Sequence, residues 1–282
     1  MELTVIEIKR AVRAALAEDL GTGDVTTLAT VPAAARSVAF INAREPMTLA
    51  GLAFAEAAFQ QLSPRIKLQR LARDGQAVRA GQGLLKLAGP SRAVLSAERV
   101  ALNFLQRLSG VATATAHFSA AVKGTSARIL DTRKTTPGWR RFEKYAVKCG
   151  GGCNHRIGLY DMVLVKDNHL AALRDAQPNA IAAAVTRARQ KYPRLKVEVE
   201  ADTLAQVSQA LAAGADIILL DNMTNIQMRR AVKIVAGRAL TEASGGVNLQ
   251  TVRGIARTGV DFISIGAITH SARAVDIGLD FA

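Results

Sequence analysis

Between residues 128 and 270 short apolar runs alternate with amphipathic stretches, and this alternation constrains the fold more than any other feature. The runs read ARILDTRK, MVLVKDNH, KVEVEAD, DIILLDN, LTEASGG and FISIGAITH, and each ends in polar or glycine-rich residues. Between the later ones lie NAIAAAVTRARQKY, TLAQVSQALAAGA, IQMRRAVKIVAG and LQTVRGIARTG, whose apolar residues recur at helical spacing. Parallel strands cannot be joined by a tight turn, so strand–helix alternation at this interval predicts parallel strands with helical crossovers. Six strands are predicted, where a closed (β/α) barrel has eight. A (β/α) barrel is the expected architecture, and an open doubly wound sheet is the alternative.

The first hundred residues follow a different pattern. MELTVIEIKRAVRAALAEDLG spreads charge through an amphipathic helix and lacks the uninterrupted apolar core of a signal peptide. Short segments follow, SVAFINAREPMTLAG and PRIKLQRLARDGQAVRAGQGLLKLAGP, punctuated by glycines in the manner of a small mixed sheet. From Ser96 to Val122 a long helical stretch bridges to the alternating part, with a break expected at Gly110. No run approaches the roughly 18 apolar residues of a membrane span. A cytoplasmic protein with no membrane association is expected.

Two readings based on composition can be weighed directly. The cysteines, Cys149 and Cys153, sit in KCGGGCNHR, which has the look of a metal or redox site. C-x3-C-x-H supplies three ligands where structural zinc takes four, and redox pairs are spaced C-x-x-C. The thiols are therefore expected to be incidental to a glycine-rich turn. The net charge of +14 invites a nucleic-acid partner, but eight Lys/Arg against three acids fall between Asp131 and Lys166. These eight are Arg133, Lys134, Arg140, Arg141, Lys144, Lys148, Arg156 and Lys166. With no helix-turn-helix, zinc finger or RNP-type motif, that local cluster points to small anionic substrates rather than nucleic acid.

In (β/α) barrels the active site lies at the carboxyl ends of the strands. Here those ends carry Arg133 and Lys134, Lys166, Glu200, Asp221, Ser244 to Gly246, and Gly266. Of Glu198 and Glu200, at most one is expected to face the barrel interior. The acidic pair Glu200 and Asp221 suits a hydrated Mg2+, which takes one or two carboxylates plus substrate phosphates. The glycines suit phosphate, because they let backbone N–H groups come close. The guanidinium groups suit carboxylates, which they pair bidentately.

These residues lie in ordered motifs: EDLGTGDVTT, AERVALNFLQRLSGVAT, DTRKTTPG, EKYAVKCGGGCNHRIGLYD, VKDNH, EVEAD, ILLDNM, EASGGV and GVDFISIGAITHS. Over nearly its whole length the chain resembles the quinolinate phosphoribosyltransferases. The resemblance implies a small N-terminal α/β sandwich domain plus an open, incomplete (β/α) barrel of the type II phosphoribosyltransferase kind. Residues 1–108, with the bridging helix, would form the first domain and 109–270 the barrel, with 271–282 packing back on the first. It implies transfer of phosphoribose from 5-phosphoribosyl 1-pyrophosphate to quinolinate with decarboxylation, using Mg2+.

The same resemblance assigns the residues. Quinolinate would meet Arg133, His155, Arg156 and Lys166, with Arg99 arriving from the partner subunit of a homodimer or of a higher assembly built on it, and Thr132 would be a further substrate contact. Lys134 would contact the pyrophosphorylated sugar, and Glu200 and Asp221 the ribose and its metal. Ser244, Gly245 and Gly246, with Ile265, Gly266 and Ala267, would cradle the 5-phosphate. Lys134, Glu200 and Asp221 are the expected catalytic groups. Two rivals share elements of this pattern. A same-fold paralogue associated with molybdate-transport genes departs from TRKTTPG and GGGxNHR, both intact here. Nicotinate phosphoribosyltransferase holds a single carboxylate and has less use for so many basic groups.

Overall fold

The computed structural model describes residues 2–282 and divides into two compact units. One runs from the N-terminal segment to Ala116 and adds Pro137–Gly151 and Ser271–Ala282; the other comprises His117–Thr136 and Gly152–His270. By packing, the first unit extends along the bridging helix to Ala116. A segment from within the expected barrel range, Pro137–Gly151, belongs to the first unit.

The first unit opens with the helix Val5–Leu20, started by a capping box in which Thr4 and Glu7 satisfy each other's backbone N–H groups. Ile8, Val12 and Leu16, four residues apart, form its buried stripe. Its strands are β1 (Arg36–Ala43), β2 (Met47–Thr48), β3 (Lys67–Arg70), β4 (Ala77–Val78), β5 (Gly83–Pro90) and, from the C-terminus, β12 (Ile277–Phe281). An antiparallel sheet runs β12-β1-β5-β3, and β2 pairs with β4. The helix Leu52–Leu62 buries Phe54 and Phe59.

The long helix Ser91–Ala121 is continuous, so the break expected at Gly110 does not occur. One glycine costs a helix only about 1 kcal/mol against alanine, too little to interrupt one of this length. Gly110 serves close packing instead: a Cβ there would lie 2.0 Å from the carbonyl oxygen of Arg273.

The helix Arg140–Cys149 is held by aromatic packing. Trp139 stacks on Phe104 with centroids 4.9 Å apart, Phe104 stacks on Phe54 at 4.8 Å, and Phe142 meets Phe54 and Trp139 edge-on. Glu143 and Lys144 are fully buried, Arg107 donates to Glu143 at 2.8 Å, and Arg141 pairs with Glu7. The basic cluster read from the sequence therefore divides. Arg140, Arg141, Lys144 and Lys148 lie on this helix, and the charges of the second unit are Arg133, Lys134, Arg156 and Lys166.

The second unit is built on β6 (Arg128–Leu130), β7 (Val163–Val165), β8 (Val197–Ala201), β9 (Ile217–Asp221), β10 (Leu240–Ser244) and β11 (Phe262–Ser264). All pairings are parallel and the order is β6-β11-β10-β9-β8-β7, with β6 and β7 as the two end strands. The helices Ala180–Lys191, Leu204–Ala212 and Asn225–Val235 are capped by Asn179, Thr203 and Thr224, the last two in capping boxes with Gln206 and Gln227. The sheet is strongly curled. Glu198 on β8 and Glu242 on β10 are two strands apart, about 9.5 Å in a flat sheet, yet their carboxylates and the His155 ring lie within 4.8 Å of one another. Residues i and i+2 share a strand face, so Glu198 and Glu200 point the same way, and both are buried. The expectation that at most one faces inward is thereby corrected.

Candidate active site

The carboxyl ends of the six parallel strands surround a cavity of about 910 Å³, toward the upper end of the range for ligand sites. Thr132, Arg133, Lys134, His155, Arg156, Lys166, Glu200, Asp221, Ser244, Gly245, Gly246, Ile265, Gly266 and Ala267 all line it. Of the expected site residues only Arg99 does not. It is exposed on the helix Ser91–Ala121.

One side of the cavity is positive. The segment after β6 is pinned beside that strand, because Cys153 N–H donates to the Ile129 carbonyl at 2.8 Å and Asp131 N–H to the Cys153 carbonyl at 3.2 Å. Buried Asp131 then accepts from Asn154 Nδ2 at 2.6 Å and from His155 N–H at 2.9 Å, which fixes the backbone that carries Arg156. The left-handed turn at Gly151 (φ +81°) leads into this segment. Burial, and then the like charge of Arg133, lower the pKa of Arg156, with Glu198 and Asp161 opposing. Arg133 Nε is buried and has no hydrogen-bond acceptor among the described residues. Two crowded guanidiniums with an unsatisfied donor are suited to a dianion, which would relieve both deficits.

The cysteines, Cys149 and Cys153, are both half-buried. Both are free, and burial, followed by the nearby Asp74 charge, pushes the Cys149 thiol up to about 11, far from a reactive thiolate.

The other side is acidic. Lys166 Nζ forms an ion pair with Glu200, so these two expected substrate contacts satisfy each other here. Asp221 is raised above the ordinary carboxyl range by burial first, then by Glu200 and Asp202. A divalent cation between Glu200 and Asp221 would remove that repulsion, so the donor set fits Mg2+. Next to them Gly245 has φ +95° and Gly246 φ +59°, and a Cβ on Gly245 would come within 2.1 Å of Asn222 Oδ1. Glycine is required for this approach of backbone to the Asp221–Asn222 corner.

The structure adds Glu242, His270 and Asn222 to the lining. Glu242 could have been found by parity, since it lies two residues before Ser244 on the same strand. His270 had no such signal, being brought in by the short helix Ala267–His270. His155 lines the cavity and also has protein partners. Its Nδ1 accepts from the Arg156 backbone N–H at 2.7 Å, and its Nε2 lies 3.0 Å from Glu198 Oε2 and 3.6 Å from Glu242 Oε2. Both ring nitrogens thus face protein groups.

Comparison with known proteins converges on one family. Residues 24–109 match the model of the quinolinate phosphoribosyl transferase N-terminal domain, and residues 111–280 match that of its C-terminal domain. The chain is similar to the chloroplastic nicotinate-nucleotide pyrophosphorylase [carboxylating] of Arabidopsis thaliana, 42% identical over 97% of this chain and 82% of that protein. It is similar also to a probable nicotinate-nucleotide pyrophosphorylase [carboxylating] of Bacillus subtilis, 40% identical over 98% of this chain and 93% of that one. The solved nicotinate-nucleotide pyrophosphorylase of Francisella tularensis superposes with a TM-score of 0.94 at 42% identity, covering 100% of this chain and 98% of that one. With both domain models matched in order and relatives at this identity along nearly its whole length, the chain belongs to the quinolinate phosphoribosyltransferase family.

Proposed function

We propose that this cavity transfers the phosphoribosyl group of 5-phosphoribosyl 1-pyrophosphate to the ring nitrogen of quinolinate and releases CO2, yielding nicotinate mononucleotide and pyrophosphate for de novo NAD synthesis. The observation that carries the reading is the division of one cavity into a crowded guanidinium side and an acidic, glycine-rich side. The first matches a pyridine dicarboxylate, the second a phosphorylated sugar.

Arg133 and Arg156, supported by Thr132 and Lys166, hold the two carboxylates, and Lys134 reaches the pyrophosphorylated sugar. His155 acts from beneath, through the backbone that it shares with Arg156. Ser244–Gly246 and Ile265–Ala267 present backbone N–H groups to the 5-phosphate. Glu200 and Asp221 would hold Mg2+, which would supply charge neutralisation for the departing pyrophosphate. As the bond to pyrophosphate stretches, the ribosyl carbon gains positive charge, which the fixed carboxylates of Glu200 and Asp221 stabilise. Lys166 is released from Glu200 as a substrate carboxylate arrives, so binding quinolinate frees the acid that faces the ribose. Most of the rate enhancement comes from holding the two substrates in register.

We read the enzyme as a cytoplasmic homodimer in which Arg99 completes the partner's site. Its exposure on a helix that does not line its own cavity supports a role outside its own chain. Arg133→Ala and Arg156→Ala test the reading. Losing a charge-assisted bond costs about 1.5–3 kcal/mol, so the KM for quinolinate rises at least about tenfold while that for 5-phosphoribosyl 1-pyrophosphate changes far less. Equal effects on both substrates would show that the guanidinium side is misassigned.

A further inference from the structure

The established chemistry leaves one atom unaccounted for. When CO2 departs, the bond between carboxylate and ring carbon breaks heterolytically and its electron pair stays on the ring. That pair must take up a proton, and neither substrate supplies one. The inference drawn here rests on the reading above, that the dicarboxylate sits in the strand-end cavity.

Beneath that cavity lies a group of side chains that the substrate assignments do not use. Glu198 and Glu242 are buried, and their four carboxylate oxygens have no hydrogen-bond donor of good geometry. His155 Nε2 lies 3.0 Å from Glu198 and 3.6 Å from Glu242, and the Ser264 hydroxyl also faces Glu242. Two carboxylates enclosed together cannot both stay ionised, because neither water nor a full set of donors compensates the second charge. Glu242 also lies against a second cavity. A smaller cavity of about 310 Å³, at the amino ends of the same strands, is lined by Arg128, Lys196, Ile217, Leu240 and Phe262, and also by His155, Arg156 and Glu242. Glu242 therefore lines both cavities, one on each side of the barrel floor.

We propose that Glu242 is the acid that protonates the ring carbon as CO2 leaves, and that it is reprotonated by water entering through the amino-end cavity. The Oε–H bond of Glu242 breaks as the C–H bond of nicotinate mononucleotide forms, and Glu242 becomes a carboxylate beside Glu198 until a solvent proton restores it. The groups facing Glu242 suit this cycle. Glu198 comes from β8, Leu219 from β9, Ser264 from β11, and His155 and Arg156 from the segment after β6. Arg128 and Lys196 line the cavity through which the proton returns. Burial first, then the Glu198 charge, pushes Glu242 up to about 8, against the opposing influence of His155. The enclosed pair therefore retains a proton, which this cycle assigns to Glu242.

The test follows the origin of the ring hydrogen. Full-length wild type, Glu242→Gln and Glu242→Asp are given quinolinate, 5-phosphoribosyl 1-pyrophosphate and MgCl2 in an equal mixture of H2O and D2O. Pyrophosphate, CO2 and the hydrogen-to-deuterium ratio at the new C–H are measured. Glu242→Gln should slow CO2 release more than pyrophosphate release, by on the order of 100-fold as for loss of a general acid. The isotope ratio should shift in Glu242→Gln and return toward the wild-type value in Glu242→Asp. In wild type alone the ratio should also change between pH 7 and pH 9.5, which keeps the test decisive if a variant fails to fold. An isotope ratio indifferent to pH and to both substitutions overturns the proposal, as does a stoichiometric metal ion bound by this cluster. Failure of wild type to release CO2 from quinolinate would instead refute the functional reading itself.

Discussion

Gly110→Ala separates two physical accounts by the sign of its effect. If glycine were merely a weak point in the helix Ser91–Ala121, alanine would add about 0.8–1 kcal/mol of stability. The structure predicts the reverse. The new Cβ would lie 2.0 Å from the Arg273 carbonyl oxygen and 3.0 Å from its carbon, both backbone atoms. Separations under 3.0 Å are essentially never adopted by real Cβ atoms, so the C-terminal segment must move by about 1 Å. That segment is tied to the helix by three hydrogen bonds: Arg107 Nη1 to the Ala272 carbonyl at 2.6 Å, Val275 N–H to the Gln106 carbonyl at 3.2 Å, and Gln106 Nε2 to the Ile277 carbonyl at 2.9 Å. Overpacking costs about 1–3 kcal/mol, and each weakened hydrogen bond adds about 1 kcal/mol. Against the propensity gain, with one to three of these bonds weakened, a net loss of about 1–5 kcal/mol is expected. Urea midpoints for both proteins at one fixed concentration, with equal m-values, measure it. A midpoint unchanged or raised in Gly110→Ala would refute the packing account.

Glu242 should also make stability depend on pH. Its folded-state pKa, about 8, lies above the ordinary 4.5, so between those values the folded chain binds more protons than the unfolded one. Its stabilising contribution is complete below 4.5 and is lost as pH rises through 8, at up to about 1.4 kcal/mol per pH unit. The urea midpoint of wild type should therefore fall relative to that of Glu242→Gln between pH 6 and pH 8.5, and parallel curves would contradict this. For Arg99, inactive Arg99→Ala and inactive Glu200→Ala are mixed in equal amounts. If Arg99 acts across a two-fold interface, half of the reassorted dimers carry one intact site, which restores about a quarter of wild-type activity. Demonstrated subunit exchange without recovery rules that role out.

The sequence carried the second unit well because its periodicities are strong. Each of the six apolar runs became a strand, and the charges at their ends became cavity lining, since a curled parallel sheet gathers every carboxyl end in one place. The segment Pro137–Gly151 was not legible in this way. Its lysines and arginines look like substrate-binding charges until Glu7, Arg107 and the Phe54–Phe104–Trp139 stack, all distant in sequence, claim it for the first unit. Gly110 was misleading for a related reason, because the atom that requires glycine comes from Arg273, at the far end of the chain. Glu242 was hidden by its neighbours, lying beside a glycine-rich phosphate signal that drew attention to Ser244 and beyond. His155 could be placed in the site but not oriented, since its partners Glu198 and Glu242 come from two other strands.

The most direct test of the account is the product stoichiometry of the purified chain supplied with quinolinate labelled in the carboxyl group adjacent to the ring nitrogen, 5-phosphoribosyl 1-pyrophosphate and MgCl2. The account predicts nicotinate mononucleotide, pyrophosphate and labelled CO2 in equal amounts, none of them without the metal, and little product when nicotinate replaces quinolinate, because a single carboxylate leaves part of the Arg133–Arg156 pair unsatisfied. Turnover of nicotinate matching that of quinolinate, or pyrophosphate release with no labelled CO2, would contradict it.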